Sequence, residues 1–240
     1  MKKFIFASDL HGDQCDPGSI RALKVVTKDF KPNIRIFGGD LMDARPLRKG
    51  ACKDEKAQGM KADWKAGISF LTNQWQPTHM LMGNHDKRIF DLAEGDMGIE
   101  SEYAWQGTIE LKKALSSINC EWLPYHKKSV FEFGSLRFLH GFFHGANACR
   151  QHSQVYGSCI FGHIHAIDQF AAPGIRRRVS MSSGCLCNLD MKWNQHMVSS
   201  LRHAHGFIMG YINEKTGDWT AWQVEEIDGK WMYPGKIKTA

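Results

Sequence analysis

Thr78-His79-Met80-Leu81-Met82-Gly83-Asn84-His85-Asp86 is a short apolar run closed by a glycine and three polar side chains. The run reads as a strand. An asparagine at its end, on a backbone turned by glycine, can offer a metal one neutral oxygen and leave the adjacent imidazole free. The same pattern recurs four times. Asp9-Leu10-His11 follows Phe4 to Ala7, Gly38-Gly39-Asp40 follows Ile34 to Phe37, His140-Gly141 follows Leu136 to Leu139, and Gly162-His163-Ile164-His165 follows Ser158 to Phe161. Clusters at the carboxy ends of strands share one sheet edge, the edge at which open α/β sheets bind ligands.

Working outward, Asp16-Pro17 starts a helix on which Ile20, Leu23, Val26 and Phe30 recur at helical spacing until Pro32. Two strands joined by such a helix form a βαβ unit. Arg45 to Gln58 is basic and weakly patterned, whereas Trp64, Ile68, Leu71 and Trp75 mark a core-facing helical stripe that Pro77 ends. Helix is expected from Lys87 to Ala93, a surface loop from Glu94 to Glu102, and a further helix carrying Leu111, Ala114, Leu115 and Ile118 with Thr108 as its cap. Val130 to Phe133 and Leu136 to Leu139 read as a hairpin about Gly134-Ser135. Ala146 to Tyr156 reads as helix, and Ile175 to Met181, Phe207 to Ile212 and Trp219 to Val224 as strands. With no repeat or linker, residues 1–240 are expected to form a single domain.

The 240 residues are 42% hydrophobic and 11% aromatic, enough for a sizeable core and unlike a disordered chain. A net charge of +6 suits a phosphate-bearing partner, with nucleotide or nucleic acid among the candidates. No apolar run approaches the ~20 residues of a membrane span, and the start reaches Asp9 too soon for a signal peptide, so a cytoplasmic protein without membrane contact is expected. Seven cysteines without framework spacing fit a reducing compartment, with Cys185 and Cys187 read as buried thiols.

In series, Asp-x-His, Gly-Gly-Asp, Gly-Asn-His-Asp, His-Gly and Gly-His-x-His resemble the calcineurin-like metallophosphoesterase superfamily, over Asp9 to His165. The resemblance implies an α/β fold, a four-layer αββα sandwich of mixed sheets flanked by helices, with a dinuclear metal site at the strand carboxy ends. It implies Asp9, His11 and His165 on one metal, Asn84, His140 and His163 on the other, and Asp40 bridging them. It further implies hydrolysis of a phosphate ester by metal-bridging hydroxide, with His85 as the catalytic histidine. Nitrogen and oxygen donors suit two divalent ions, manganese first, with iron, zinc or nickel as alternatives.

Either Asp43 or Asp86 could orient His85 by a carboxylate contact. Arg45 and Arg88 follow site loops, and a guanidinium can grip phosphate through two hydrogen bonds; Arg88 is grouped with His85 and Asp43 in the catalytic set. The pattern departs from phosphoprotein phosphatases at Ala44, where those enzymes carry arginine. A phosphodiesterase is therefore favoured, against a phosphomonoesterase with the same site, a scaffold that has lost turnover, or a nuclease working within a larger complex. His144 is read as a loop histidine, and His126, His152, His196, His203 and His205 as surface or satisfied core. Arg176-Arg177-Arg178 is read as a solvated strand edge.

Overall fold

The four apolar residues of β1 (Lys2–Ala7) divide between two interiors, because alternate strand side chains point to opposite faces. Phe4 and Phe6 enter one buried cluster and Ile5 and Ala7 another, all four without solvent exposure. The structure, a computed structural model, describes residues 1–96, 98–175, 178–191, 194–234 and 236–239.

After β1, helix α1 (Pro17–Phe30) opens with the Asp16 carboxylate accepting from Ser19 N–H at 2.6 Å and closes at Lys31 in a left-handed conformation before Pro32. It leads to β2 (Ile34–Phe37), parallel to β1. A short helix α2 (Lys53–Lys56) precedes α3 (Lys61–Ser69), which continues through a wider π-helical turn at Phe70–Trp75. Then follow β3 (His79–Leu81), α4 (Asn84–Ala93), α5 (Ile99–Ser117) and β4 (Glu121–Leu123). The hairpin β5 (Phe131–Phe133) and β6 (Leu136–Leu139) is followed by α6 (Ala148–Tyr156), β7 (Cys159–Phe161), β8 (Ile167–Ala172) and β9 (Arg178–Ser183). The chain ends with β10 (Gly206–Ile212), β11 (Trp219–Ile227), β12 (Lys230–Tyr233) and β13 (Lys236–Thr239).

One sheet runs β13-β12-β11-β10-β1-β2-β3-β4, parallel from β1 to β4 and antiparallel beyond β1; the other runs β5-β6-β7-β9-β8. Phe4, Phe6, Ile36 and Leu81 of the first meet Leu136, Phe138, Ile160 and Met181 of the second, with Phe138 edge-on to Phe4 and stacked on Phe6. Burial contributes roughly 1.5–3 kcal/mol for each such side chain, so this layer fixes the sheets against each other. Leu23 and Val26 of α1, Phe70 and Leu71, and Leu111 and Leu115 of α5 cover the first sheet's outer face, while Cys149 of α6 packs on Leu139, Cys159 and Phe161 outside the second. The layers are thus helix, sheet, sheet, helix. Among the described residues no helix is long and apolar enough to cross a membrane.

Three expectations change. Helix α5 begins at Ile99, inside the stretch read as loop, and Thr108 lies within it, its hydroxyl donating to Trp105 O at 2.8 Å rather than capping an end. Helix α4 begins at Asn84 rather than Lys87, because the Asp86 carboxylate accepts from Gly83 N–H at 2.9 Å and caps the turn. Strands β4, β8, β12 and β13 were not legible as apolar runs. Arg176 and Arg177 of the arginine triplet lie outside the described residues, and Arg178 opens β9 exposed.

Candidate metal centre

Asp9, His11, Asp40, His163 and His165 all have left-handed backbone, with φ of 58°, 53°, 52°, 69° and 56°. That conformation costs a non-glycine residue about 1–2 kcal/mol, and its concentration in five of the seven candidate donors marks a site where side-chain placement overrides backbone preference. Hydrogen bonds hold the turns together: Asp9 N–H donates to Gly39 O (2.9 Å), His11 N–H to Asp40 O (3.0 Å) and Gly162 N–H to His140 O (2.8 Å). Gly83 is required by crowding, since a Cβ there would collide with the Asp40 carboxylate.

The strand-end side chains converge in two groups. His11 Nε2 lies 3.1 Å from His165 Nε2, which is 3.4 Å from Asp9 Oδ1. Asn84 Oδ1 lies 3.0 Å from His140 Nε2 and 2.9 Å from His163 Nδ1. Asp40 stands between the groups, and one of its oxygens does the facing. Oδ2 is 3.8 Å from His11 Nε2 and 3.5 Å from His140 Nε2, whereas Oδ1 accepts from His85 N–H at 2.8 Å.

Partners of the outer nitrogens aim the imidazoles inward. His140 Nδ1–H donates to Gly38 O at 2.7 Å and His11 Nδ1 faces Asp43 Oδ1 at 3.0 Å, which turns each Nε2 toward Asp40. Asp9 accepts from Ser8 Oγ–H and from His163 N–H. His85 Nδ1–H donates to Asp43 O at 2.7 Å, with Asp43 Oδ1 at 3.3 Å, and its Nε2 points to Asp40 Oδ2 at 3.9 Å. Of the two carboxylates considered for His85, Asp43 is the one beside it. Asp86 instead accepts from Gly83, Leu41 and Met42 N–H. Arg88 Nη1 reaches Asp43 O at 3.3 Å and lies 3.1 Å from His85 Nδ1, whereas Arg45 pairs with Asp13 at 2.6 Å and faces Asp43 Oδ2 at 3.4 Å.

The charges of this group are strongly coupled. Burial opposes ionisation of Asp40, but His140, His85 and His11 hold it well below the usual carboxylate range. Burial would lower His140 and His165; Asp40 raises the first to about 9, and Cys185 and Asp9 raise the second to about 9. Burial, with His140 nearby, pushes His163 down to about 3. Asp40 and Asp9 thus favour the charged form of His140 and His165, whereas burial favours neutral His11 and His163. A cation held by these nitrogens would compete with their protons, so its uptake would weaken in acid.

Residues 2–167 match the family model described as calcineurin-like phosphoesterase. The chain belongs to this family. Metal-dependent phosphoester hydrolysis is accordingly its activity, and phosphate esters are its substrates. No curated protein sequence matches it. Solved structures resembling it include an archaeal phosphodiesterase, 13% identical over 92% of this chain and 99% of that one with a TM-score of 0.46, and the E. coli phosphoesterase Yfce, 13% identical over 92% and 98% with a TM-score of 0.40. At this similarity neither bears on the substrate of the present chain.

Calcineurin-like phosphoesterases use divalent metals, and the donor chemistry fits. Asp9, His11 and Asp40 form one group whose ligand atoms lie within 4.8 Å of one another, and Asp40, His140 and His163 form another. Imidazole, carboxylate and amide together suit first-row divalent ions. Several supporting residues were not read from the sequence. Asp63 of α3 accepts from Asp43 N–H (2.9 Å) and Ala44 N–H (2.8 Å), Tyr125 packs edge-on to His140 and donates to Gly141 O, and His203 lies 5.1 Å from His165 between ring centroids. Asp86, three positions after the capping Gly83, carried a readable signal; Asp63, twenty residues beyond the loop it holds, carried none. His144 is exposed, while His152 is buried and Cys185 and Cys187 are buried thiols.

Proposed function

We propose that this chain is a phosphodiesterase working with two divalent cations, manganese first among them, on a nucleotide or nucleic acid ester, and that residues 1–240 act as one catalytic domain. The observation carrying the two-metal reading is the placement of Asp40 Oδ2 between the His11 and His140 nitrogens, with a complete donor group on either side. Asp9, His11 and His165 would hold one cation, Asn84, His140 and His163 the other, and Asp40 both. Bound there, the cations supply Lewis-acid polarisation of the phosphoryl group and activation of water.

His85 does the proton chemistry in this reading. Its Nδ1–H is committed to Asp43 O, so the second proton sits on Nε2, the nitrogen facing Asp40 and the donor groups. Burial would lower its pKa, but Asp40 and Asp43 raise it, which favours an imidazolium able to give its Nε2 proton to the departing oxygen. Asp43 orients the ring, and Arg88 places a guanidinium beside it for a phosphoryl oxygen. The net charge of +6 and Ala44 in place of an arginine support a diester over a phosphoprotein.

The test compares bis(p-nitrophenyl) phosphate with p-nitrophenyl phosphate in manganese-loaded protein. His85→Ala should lower kcat on the diester about 10²- to 10⁴-fold while metal content by plasma emission stays unchanged. Undiminished turnover in the variant removes His85 from the mechanism, and faster hydrolysis of the monoester replaces this reading by a phosphomonoesterase.

A further inference from the structure

We infer that residues 45–61, which join the Asp43 loop to α3, are a docking surface for phosphates flanking the scissile one, so that the substrate is a single-stranded oligonucleotide rather than a mononucleotide. The inference rests on the phosphodiesterase reading. The segment holds six basic residues against two acidic ones, a surplus of +4 in a chain whose total is +6. Lys49, Lys53, Lys56 and Lys61 are exposed and make no ion pair among the described residues.

The fold of the segment leaves that charge uncompensated. Glu55 is 4% exposed and turned inward, where its carboxylate accepts from Arg48 Nη2 at 2.6 Å and from Cys52 N–H at 2.9 Å. Ala51 is buried and Leu47 packs against the core, so the segment is an ordered surface with its lysines outward and only Asp54 exposed among them.

Its first residues border the donors. Arg45 faces Asp43 Oδ2 at 3.4 Å, and Asp43 Oδ1 is 3.3 Å from His85. Arg88 Nη1 lies 3.1 Å from His85 Nδ1; burial lowers the Arg88 pKa, and the charge of nearby Arg48 adds to that lowering. Positive groups thus follow one another from His85 through Arg88 and Arg48 to the lysines about α2. The donors are almost closed to solvent, Asp40 at 1% and His140 at 2%. A scissile phosphate has to leave the line of its neighbours to reach them, which a flexible single strand does and a stiff duplex resists.

Each phosphate neutralised by a lysine releases counterions, so affinity carried by this surface falls with salt, by roughly 0.7 in logarithmic slope for each contact on a single strand. A small diester has no flanking phosphate to offer. The test measures kcat/KM of the manganese-loaded full chain on a thymidine oligonucleotide and on bis(p-nitrophenyl) phosphate over a salt series. Replacing Lys49, Lys53 and Lys56 together by alanine should raise KM for the oligonucleotide about 10- to 100-fold and flatten its salt slope by roughly 2, with the small diester unaffected. Lys24→Ala with Lys28→Ala, exposed positions on α1, should leave both substrates unchanged. An unaltered oligonucleotide KM and slope in the triple variant overturns the docking surface, as does an equal loss on both substrates or an equal flattening in the α1 variant. Equally fast cleavage of a duplex overturns the single-stranded assignment. Cleavage of the small diester without cleavage of the oligonucleotide overturns this inference and leaves the phosphodiesterase reading standing, whereas no hydrolysis of either diester by the unmodified protein overturns both.

Discussion

His152 should make stability fall steeply in mild acid. The ring is fully buried on α6, stacked on Phe161 at 3.8 Å between centroids; Nδ1–H donates to Ala148 O at 2.9 Å, and Nε2 accepts from Phe142 N–H at 3.0 Å. Both nitrogens are used as a neutral imidazole uses them, and burial lowers the pKa from 6.5 to about 4. A depressed pKa stabilises the fold fully above the unfolded value and loses that contribution as pH falls through the folded one. Between pH 7 and 4 the loss attributable to this residue is about 3 kcal/mol, at 1.36 kcal/mol per unit. His152→Phe keeps the ring stack, cannot titrate, and leaves Phe142 N–H without its acceptor, a cost of about 1–3 kcal/mol. Urea unfolding of both proteins in chelator, from pH 7.5 to 4, separates these effects. The native protein should be the more stable at pH 7.5, and the two curves should meet or cross near pH 4. Curves that stay parallel over the whole range would refute a buried neutral His152.

Replacing Asp63 by alanine strands the Asp43 and Ala44 amides, and each buried unpaired donor costs about 1–3 kcal/mol; chemical denaturation should show a loss of about 2–6 kcal/mol, with the loop bearing Asp43 exchanging its amides faster. Gly83→Ala forces a methyl into the Asp40 carboxylate; overpacking of this kind costs about 1–3 kcal/mol, and manganese affinity should drop with it in calorimetry. Asp40→Ala removes the one oxygen facing both donor groups, so plasma emission should find metal depleted from both positions and diester hydrolysis abolished. Retention of one full equivalent there would mean that the groups bind independently.

What the chain made legible was the order of its donors. Polar donors at the ends of five apolar runs mark the adjoining ends of the two sheets, β1, β2 and β3 in one and β6 and β7 in the other; β1 shows why the runs read so clearly: Phe4 and Phe6 face one interior, Ile5 and Ala7 the other, so no polar residue interrupts them. Where a strand is half exposed this signal fails. Ile167–Ala172 alternates between half-buried and exposed positions as the edge strand β8, and reads as no run at all. Helix α5 was cut short because Ile99, Tyr103 and Trp105 point to solvent and obscure its period.

The same locality explains what was hidden in the centre. Asp63 lies between Lys61 and Lys65, which are exposed, so composition places it on a solvated face; only the packing of α3 against the turn after β1 buries it under the Asp43 amide. Nor does residue type announce left-handed backbone at Asp9, His11, Asp40, His163 and His165. Glycine there would relieve about 1–2 kcal/mol of strain at each position, yet glycine has no ligand atom to offer. The chain keeps donors where glycine would be more comfortable. What holds these turns is backbone hydrogen bonding between strand ends, Asp9 N–H to Gly39 O, His11 N–H to Asp40 O and Gly162 N–H to His140 O, so the bonds that join the strands also aim the donors.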